Sequence, residues 1–221
     1  MTDTTFPLAL DLSAGVFLLC AFGVLWRRQL ASMVRLFGLQ GAALAALIAI
    51  LGLHERSVEL LLVACGLGVL RAGVLPALGR RALGRGTPAD ARETRPVVNV
   101  AASLLAAGLL TLLAYVVTRP LVALSPSPAT AVLPAAVAVV LIGFFALVTR
   151  RRALSQVVGF LLLDNGITAT AFLTTAGLPL IVELGVSFDL LLVVLVLQVL
   201  ATRLRSTFGS TDLDEMRELH D

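Results

Sequence analysis

Two aspartates lie in the middle of long apolar stretches of this sequence. Asp164 lies within residues 156–172, and Asp189 lies within residues 179–202. An ionisable side chain at bilayer depth is costly, so it is a candidate functional residue by default. Desolvation favours the neutral form of a carboxylic acid, and such acids can therefore hold or relay protons near neutral pH. Both aspartates are predicted proton-path residues.

Two glutamates extend this set of acids. Glu183 precedes Asp189 by six residues, which is about 9 Å along a helix. Glu183, Asp189 and Asp164 can then form a ladder of acids that reaches into the membrane from outside. Glu59 has a matching depth in the first half of the chain. The alternative for Glu59 and Glu183 is an interfacial position at the outer ends of their helices.

Two arginines, Arg71 and Arg35, are possible charge partners inside apolar segments. Pairing of Arg71 with Asp164 or Asp189 would hold helices together, and the alternative is that both arginines extend to the nearby membrane surface. Three roles therefore stay open for the two aspartates: proton or ion coupling, a static pair with an arginine or polar neighbour, and contact with a partner subunit.

Composition places these residues in an all-α integral membrane protein. Of 221 residues 58% are hydrophobic, and mean hydropathy is +0.99, whereas a soluble domain has about 45–50% apolar residues. The net charge of +3 comes from arginines at segment ends, which argues against nucleic-acid binding. Cys20 and Cys65 lie inside apolar segments without a metal-site or redox spacing. No catalytic residue, metal or cofactor is predicted.

Seven segments are long enough to cross a bilayer as helices. Such a helix needs about 20 residues, and the apolar residues run continuously, unlike the alternation of a barrel strand. The predicted segments are 8–26, 30–53, 57–78, 97–118, 129–149, 153–176 and 179–202. The stretch near 119–128 is predicted to be an irregular outer turn.

The arginines predict the orientation of these helices. Only Arg56 and Arg119 follow even-numbered segments. By the positive-inside rule the N-terminus is outside and the C-terminus is cytoplasmic. The thirteen arginines on the predicted cytoplasmic side are Arg27, Arg28, Arg80, Arg81, Arg85, Arg92, Arg95, Arg150, Arg151, Arg152, Arg203, Arg205 and Arg217.

An internal repeat relates the two halves of the chain. At an offset of 124 residues, Arg27-Arg28 matches Arg151-Arg152 and residues 58–60 match residues 182–184. Segments 1–3 and 5–7 are therefore predicted to be two parallel three-helix repeats joined by an extra helix. Gln40 matches Asp164, so the copies differ in charge. The predicted parts are 1–78, the first repeat; 79–128, a cytoplasmic loop plus helix 4; 129–205, the second repeat; and 206–221, a cytoplasmic tail.

Three stretches of the sequence resemble component E of hydrogenase-4: residues 151–167, 179–190 and 208–219. The resemblance covers most of the chain and is strongest from residue 150 onwards. The C-terminal half of that family is similar to the K subunit of respiratory complex I, which carries two intramembrane glutamates on consecutive helices. Asp164 and Asp189 would correspond to them, although aligning the shared glycine or asparagine places Leu161 at the first glutamate. The family usually has glutamate where this chain has Asp164.

The resemblance implies a subunit without catalytic activity of its own, in the membrane arm of a complex-I-related hydrogenase or formate hydrogenlyase. It would lie in the bacterial plasma membrane with antiporter-like subunits as partners, and would assist proton translocation coupled to electron transfer. The metals of the hydrogenase would belong to other subunits. Two alternatives remain: a free-standing secondary transporter and a purely structural membrane scaffold.

Overall fold

The structure, a computed structural model, describes residues 5–83, 98–150 and 153–175. All of them fall in the first of the chain's two compact units, Met1–Pro179. In this part of the chain six helical spans are long and apolar enough to cross a membrane, in agreement with the predicted all-α class. The spans are Thr5–Trp26, Leu30–Glu55, Val58–Arg81, Val100–Leu124, Pro128–Thr149 and Ser155–Thr175.

These spans correspond to the first six predicted segments. The seventh predicted segment, 179–202, lies outside the described residues, and so does the predicted tail. The seven-helix count, the parallel repeat and the four predicted parts of the chain therefore stay predictions.

The first two helices form an antiparallel pair. Helix α1 is Thr5–Trp26 and α2 is Leu30–Glu55. Helix α2 is followed by Arg56, whose φ of 55° is left-handed, a conformation that turns the chain sharply after a helix. Ser57 then starts the third span, because its side-chain oxygen accepts a hydrogen bond from the Leu60 amide at 3.3 Å.

The third span changes its winding half-way. It consists of α3 (Val58–Leu67), a π-helical segment (Gly68–Val74) and α4 (Leu75–Leu83). Pro76 gives a local reason for the wider turn, because it has no N–H for the carbonyl four residues earlier and its ring clashes with that carbonyl in a regular α-helix. The Leu75 amide bonds instead to the Leu70 carbonyl, five residues back.

Helix α5, Val100–Leu124, is longer than predicted. Asn99 starts it by accepting a hydrogen bond from the Ala102 amide at 2.7 Å. Pro120 lies inside the helix, so the expectation of an irregular turn over 119–128 is wrong for residues 119–124. One proline removes one backbone hydrogen bond, and the residues after it, Leu121–Leu124, continue the helix.

Three helices complete the described part: α6 (Pro128–Ala131), α7 (Leu133–Thr149) and α8 (Ala153–Thr175). Helices α7 and α8 pack closely through glycines. A Cβ on Gly159 would lie 2.7 Å from the Leu147 amide nitrogen, and one on Gly166 would lie 2.6 Å from that of Val140. Small residues let membrane helices approach this closely.

Arginines mark one end of the bundle. The guanidinium of Arg150 is buried and donates to the backbone carbonyls of Val24 and Leu25, at 3.2 and 2.9 Å, so it caps the C-terminus of α1. The exposed Arg27 and Arg28 follow α1 directly. At the opposite end, Phe6 stacks on His54, with ring centroids 3.8 Å apart. The positive charge is thus concentrated at the Arg150 end of these helices.

Candidate functional site

A buried ion pair lies in the middle of the bundle. Arg71, in the π-helical segment, places Nη2 2.7 Å from Oδ2 of Asp164 in α8. Arg71 lies ten residues from Arg81 and Asp164 lies eleven residues from Ala153, so both are roughly 15 Å from the arginine-rich end. The structure therefore brings together two of the candidate residues from the sequence, at the depth of the membrane centre.

Amide side chains extend the pair into a network. The second guanidinium nitrogen of Arg71, Nη1, donates to Oδ1 of Asn165. The amide of Asn165 donates to Oε1 of Gln40 at 2.9 Å, and Gln40 donates to the backbone carbonyl of Phe17 at 3.3 Å. This polar network, Arg71–Asp164–Asn165–Gln40, connects α8 and the π-helical segment to α2 and α1.

Thr168 adds a third contact to the arginine. Its hydroxyl accepts from Arg71 Nη2 at 3.1 Å and donates to the Asp164 carbonyl at 2.9 Å. Asp164, Asn165 and Thr168 lie within one turn of α8, where side chains three and four residues apart share a face. A single turn of α8 therefore supplies a carboxylate, an amide and a hydroxyl to one guanidinium.

Glycine in α2 allows the π-helical segment to come near enough for these contacts. A Cβ on Gly41 would lie 2.8 Å from both the carbonyl carbon and the Cβ of Arg71. Such a distance is far below ordinary contact, so a larger residue at position 41 would force the π-helical segment away from α2. Gly41 follows Gln40 directly, and the same turn of α2 thus supplies both the close approach and a hydrogen-bond partner.

Burial is uneven across the network. Arg71 is 1% exposed, Asn165 and Gln40 are fully buried, and the side chain of Asp164 is 13% exposed. An arginine keeps its charge in proteins, so its burial requires a compensating anion. Asp164 supplies that anion and is also the most exposed member of the network.

This arrangement has definite chemical capabilities. A carboxylate beside a permanently charged guanidinium can exchange the ion pair for a proton, because neutralisation is the alternative to leaving a charge unpaired in a low-dielectric site. In the described part of the chain, no three His, Cys, Asp or Glu side chains are grouped as a metal site would require. The groups of the network itself, a guanidinium, a carboxylate and two amides, are suited to proton or ion exchange and to electrostatic locking.

Two other candidates from the sequence, Glu59 and Arg35, lie away from this network. Glu59 is exposed in the first turn of α3, about 18 Å along the helix axis from Arg71. Arg35 is exposed on α2 and forms no ion pair within the described ranges. Asp189 and Glu183 lie outside the described residues. Of the three acids predicted to form the ladder, the described part of the chain contains Asp164.

Sequence reasoning missed three contributors to the site. Gln40 was singled out only as the repeat counterpart of Asp164, and Thr168 and Gly41 were not singled out. A detectable signal exists for Gln40, because an amide in the middle of an apolar helix needs a hydrogen-bond partner. Threonine and glycine are common in membrane helices, so their types alone carry no such signal.

A protein of Mycobacterium tuberculosis (strain ATCC 25618 / H37Rv), described as uncharacterized protein Rv0085, is 49% identical to this chain over 221 residues, which cover both chains completely. The chain belongs to the Rv0085 family. No protein-family model matches the chain, and no solved structure matches it.

The chain is also similar, more distantly, to a component of hydrogenase-4. Hydrogenase-4 component E of Escherichia coli (strain K12) and that of Shigella flexneri are each 31% identical to this chain over 118 residues. The match spans 52% of this chain and 53% of those proteins, so the similarity is narrower than the sequence motifs indicated. It supports membership of a multisubunit membrane complex, and the apolar helices support a membrane location.

Proposed function

We propose that this protein is a membrane-arm subunit of a complex-I-related hydrogenase assembly, in which it assists proton translocation coupled to electron transfer. The half-chain similarity to hydrogenase-4 component E supports the assembly. The single observation that carries the coupling role is the buried Arg71–Asp164 pair at mid-membrane depth. The other members of the complex would be antiporter-like membrane subunits and a redox arm that holds the metals.

In the proposed cycle, Asp164 alternates between the guanidinium of Arg71 and a proton. While the 2.7 Å pair is closed, each charge compensates the other. When a rearrangement in a neighbouring subunit separates the two groups, the carboxylate is left in a low-dielectric site and takes up a proton. Closing the pair again expels that proton. Asn165 and Thr168 bond to Arg71 and would hold it in position during the open phase.

Asp189, Glu183 and Glu59 are proposed to be secondary members of the path. Asp189 is expected at a depth similar to that of Asp164, on the next segment of the chain. Glu183 and Glu59 would lie towards the outer surface, and the exposed position of Glu59 in the first turn of α3 favours an entry or exit role over a buried relay.

The proposed orientation has the N-terminus outside and the C-terminus in the cytoplasm. It is supported by the arginines that gather at the end of α1, α4 and α7, including Arg27, Arg28, Arg80 and Arg81. In bacterial membranes such a cluster faces the cytoplasm. The proposed compartment is therefore the bacterial plasma membrane, with the proton moving between this face and the outer face.

A structural role is the second candidate, and the same ion pair favours it. The network ties together four helical elements: α1 through the Phe17 carbonyl, α2 through Gln40, the π-helical segment through Arg71, and α8 through Asp164. A permanently closed pair would serve only to hold these helices in register. The two candidate functions predict different results when the charge of Asp164 is removed and its shape is kept. Proton translocation is lost if Asp164 carries a proton, and it is retained in the assembled complex if the pair only holds the helices.

The assembly claim is tested by extraction of the wild-type chain from its native membrane in a mild detergent, followed by native mass measurement. We expect the chain in one complex with several larger membrane subunits and a metal-containing redox arm. Recovery of the chain as a stable homodimer without other subunits would contradict the proposed function.

A further inference from the structure

Helix α1 presents one regular stripe of exposed residues along the surface of the protein. The residues follow the alternating three- and four-residue spacing that marks the seam between two packed helices. In the middle of the stripe, a Cβ on Gly15 would meet nothing within 4 Å, so this surface leaves room for another backbone to approach. The α1 stripe consists of Leu8, Leu12, Gly15, Leu19 and Trp26, all exposed.

An acid lies on this stripe. Asp11 is exposed and lies three residues after Leu8 and four before Gly15, and residues at these spacings are neighbours on a helix surface. Within the described residues Asp11 has neither a hydrogen bond nor an ion pair. The one charged residue within α1 therefore points away from the protein's own core.

The depth of Asp11 in the membrane follows from its distance to the C-terminal end of α1. Trp26 is followed by Arg27 and Arg28, a sequence typical of a membrane–water interface. Fifteen residues separate Trp26 from Asp11, which is about 22 Å of helix, whereas the hydrocarbon is about 30 Å thick. Asp11 thus lies roughly 8 Å below the outer edge of the hydrocarbon. A carboxylate exposed to lipid at this depth is expensive.

We propose that the α1 stripe docks a transmembrane helix of a neighbouring subunit, and that this helix places an arginine or lysine against Asp11. The existence of such a subunit rests on the proposed function. The leucines and Gly15 would pack in the seam, while the charge pair sets the register of the two helices. A cation is the expected partner because an opposite charge lets the carboxylate stay ionised away from water, whereas without one the acid has to take up a proton.

Two occupants from this chain itself fit less well. Residues 179–202 contain Glu183 and Asp189 and no basic residue, so they offer no cation at the required depth. A second copy related by a two-fold axis would set Asp11 against Asp11. A second copy that used its exposed Arg119 on α5 would make a head-to-tail contact, which does not close a dimer.

The test uses the whole complex from its native membrane and begins with two variants of the stripe. Asp11→Leu makes α1 more apolar and should not harm the isolated chain, yet it should lower recovery of the chain with its complex by about tenfold or more, because it leaves the partner's cation unpaired. Gly15→Leu should give a similar loss by filling the seam. Gly108→Leu is the matched control, since Gly108 is an exposed glycine of α5 that also has open space around it, and recovery should stay unchanged.

A photo-reactive amino acid at Leu12 identifies the occupant. We expect cross-links to one membrane subunit of the complex, near a basic residue in its transmembrane helix. Asp11→Arg should release that subunit, and substitution of aspartate for the partner's basic residue should restore it. Cross-links to lipid, to residues 179–202 or to a second copy, or full recovery of the Asp11→Leu complex, would overturn the docking proposal while the proposed function stands. A wild-type chain recovered without other subunits would overturn both.

Discussion

Loss of Asp164 and loss of Arg71 should destabilise the protein by different amounts. The reason is that a carboxylate without its partner can take up a proton, whereas a guanidinium stays charged. The perturbations are Asp164→Leu, Arg71→Met and the double variant. In Asp164→Leu the guanidinium stays charged and 1% exposed, and of its described partners the neutral oxygens of Asn165 and Thr168 remain. We expect a loss of about 3–5 kcal/mol in unfolding free energy, the usual cost of removing one partner of a buried ion pair.

The Arg71→Met variant should be milder. Asp164 is 13% exposed and can become neutral by taking up a proton, a response that arginine does not have. The remaining cost is lost hydrogen bonding, about 1–3 kcal/mol. In the double variant both charges are gone and two apolar side chains face each other, so the loss should fall to about 0–2 kcal/mol. The double variant is therefore expected to be more stable than Asp164→Leu alone.

The assay is reversible unfolding of the purified chain in mixed micelles by a denaturing detergent, with helicity followed by circular dichroism. The predicted coupling energy between the two positions is about 2 kcal/mol or more, well above the roughly 0.5 kcal/mol at which independent sites add. Additive losses, or a loss in Arg71→Met that exceeds the loss in Asp164→Leu, would show that the buried guanidinium does not depend on the carboxylate.

Three further predictions concern one neighbour of the pair and two positions at the ends of helices. Gly41→Ala should destabilise the chain by about 1–3 kcal/mol because the new Cβ meets the Arg71 backbone, whereas Gly66→Ala, at an open exposed site, should be neutral or stabilising by up to about 1 kcal/mol. Arg150→Leu should lower the unfolding free energy by about 1–3 kcal/mol, because the buried carbonyls at the end of α1 lose their hydrogen-bond donor. An unchanged unfolding midpoint would contradict the role of Arg150 as a cap. Glu59→Gln should change stability by less than about 1 kcal/mol, since Glu59 is exposed in a first helical turn.

Much of the described fold was predictable from apolar length. Six of the predicted segments appear as helical spans because about 20 continuous apolar residues have no other way to satisfy their backbone in a bilayer. The end of α5 was predicted wrongly because the Ser-Pro-Ser-Pro run at residues 125–128 led to an expected turn that began near residue 119. Inside a long apolar helix, the one hydrogen bond lost at Pro120 does not end the helix, and α5 continues to Leu124.

The candidate site was predictable only in part. The sequence names Arg71 and Asp164 as charged residues in apolar segments, but it offers Arg71 two acids and also a route to the membrane surface. Their pairing depends on the π-helical segment lying against Gly41 and facing one turn of α8. The segment itself depends on the local effect of Pro76 together with that packing. Neither condition is a pattern in the local sequence, and both exist only once the helices have packed.

The position of Asn165 illustrates the same point. In the sequence Asn165 is a polar residue next to Asp164, with no partner on another helix indicated. In the structure it bonds to Arg71 and to Gln40, which lies far away along the chain. The amide therefore acts as a bridge between helices, and the network reaches α1 only through it.

In the proposed function Asp164 exchanges its ion pair for a proton during turnover, and the proton-to-electron ratio of the complex depends on that exchange. The number of protons translocated per electron is measured in sealed membrane vesicles that contain the complex with Asp164→Asn, a shape-conserving change that removes the exchangeable charge. Gln40→Leu serves as a matched control that disturbs the network but keeps the acid. We expect electron transfer to continue in the complex that assembles, with translocation lost in Asp164→Asn and retained in the control. An unchanged proton-to-electron ratio in assembled Asp164→Asn complex would contradict it.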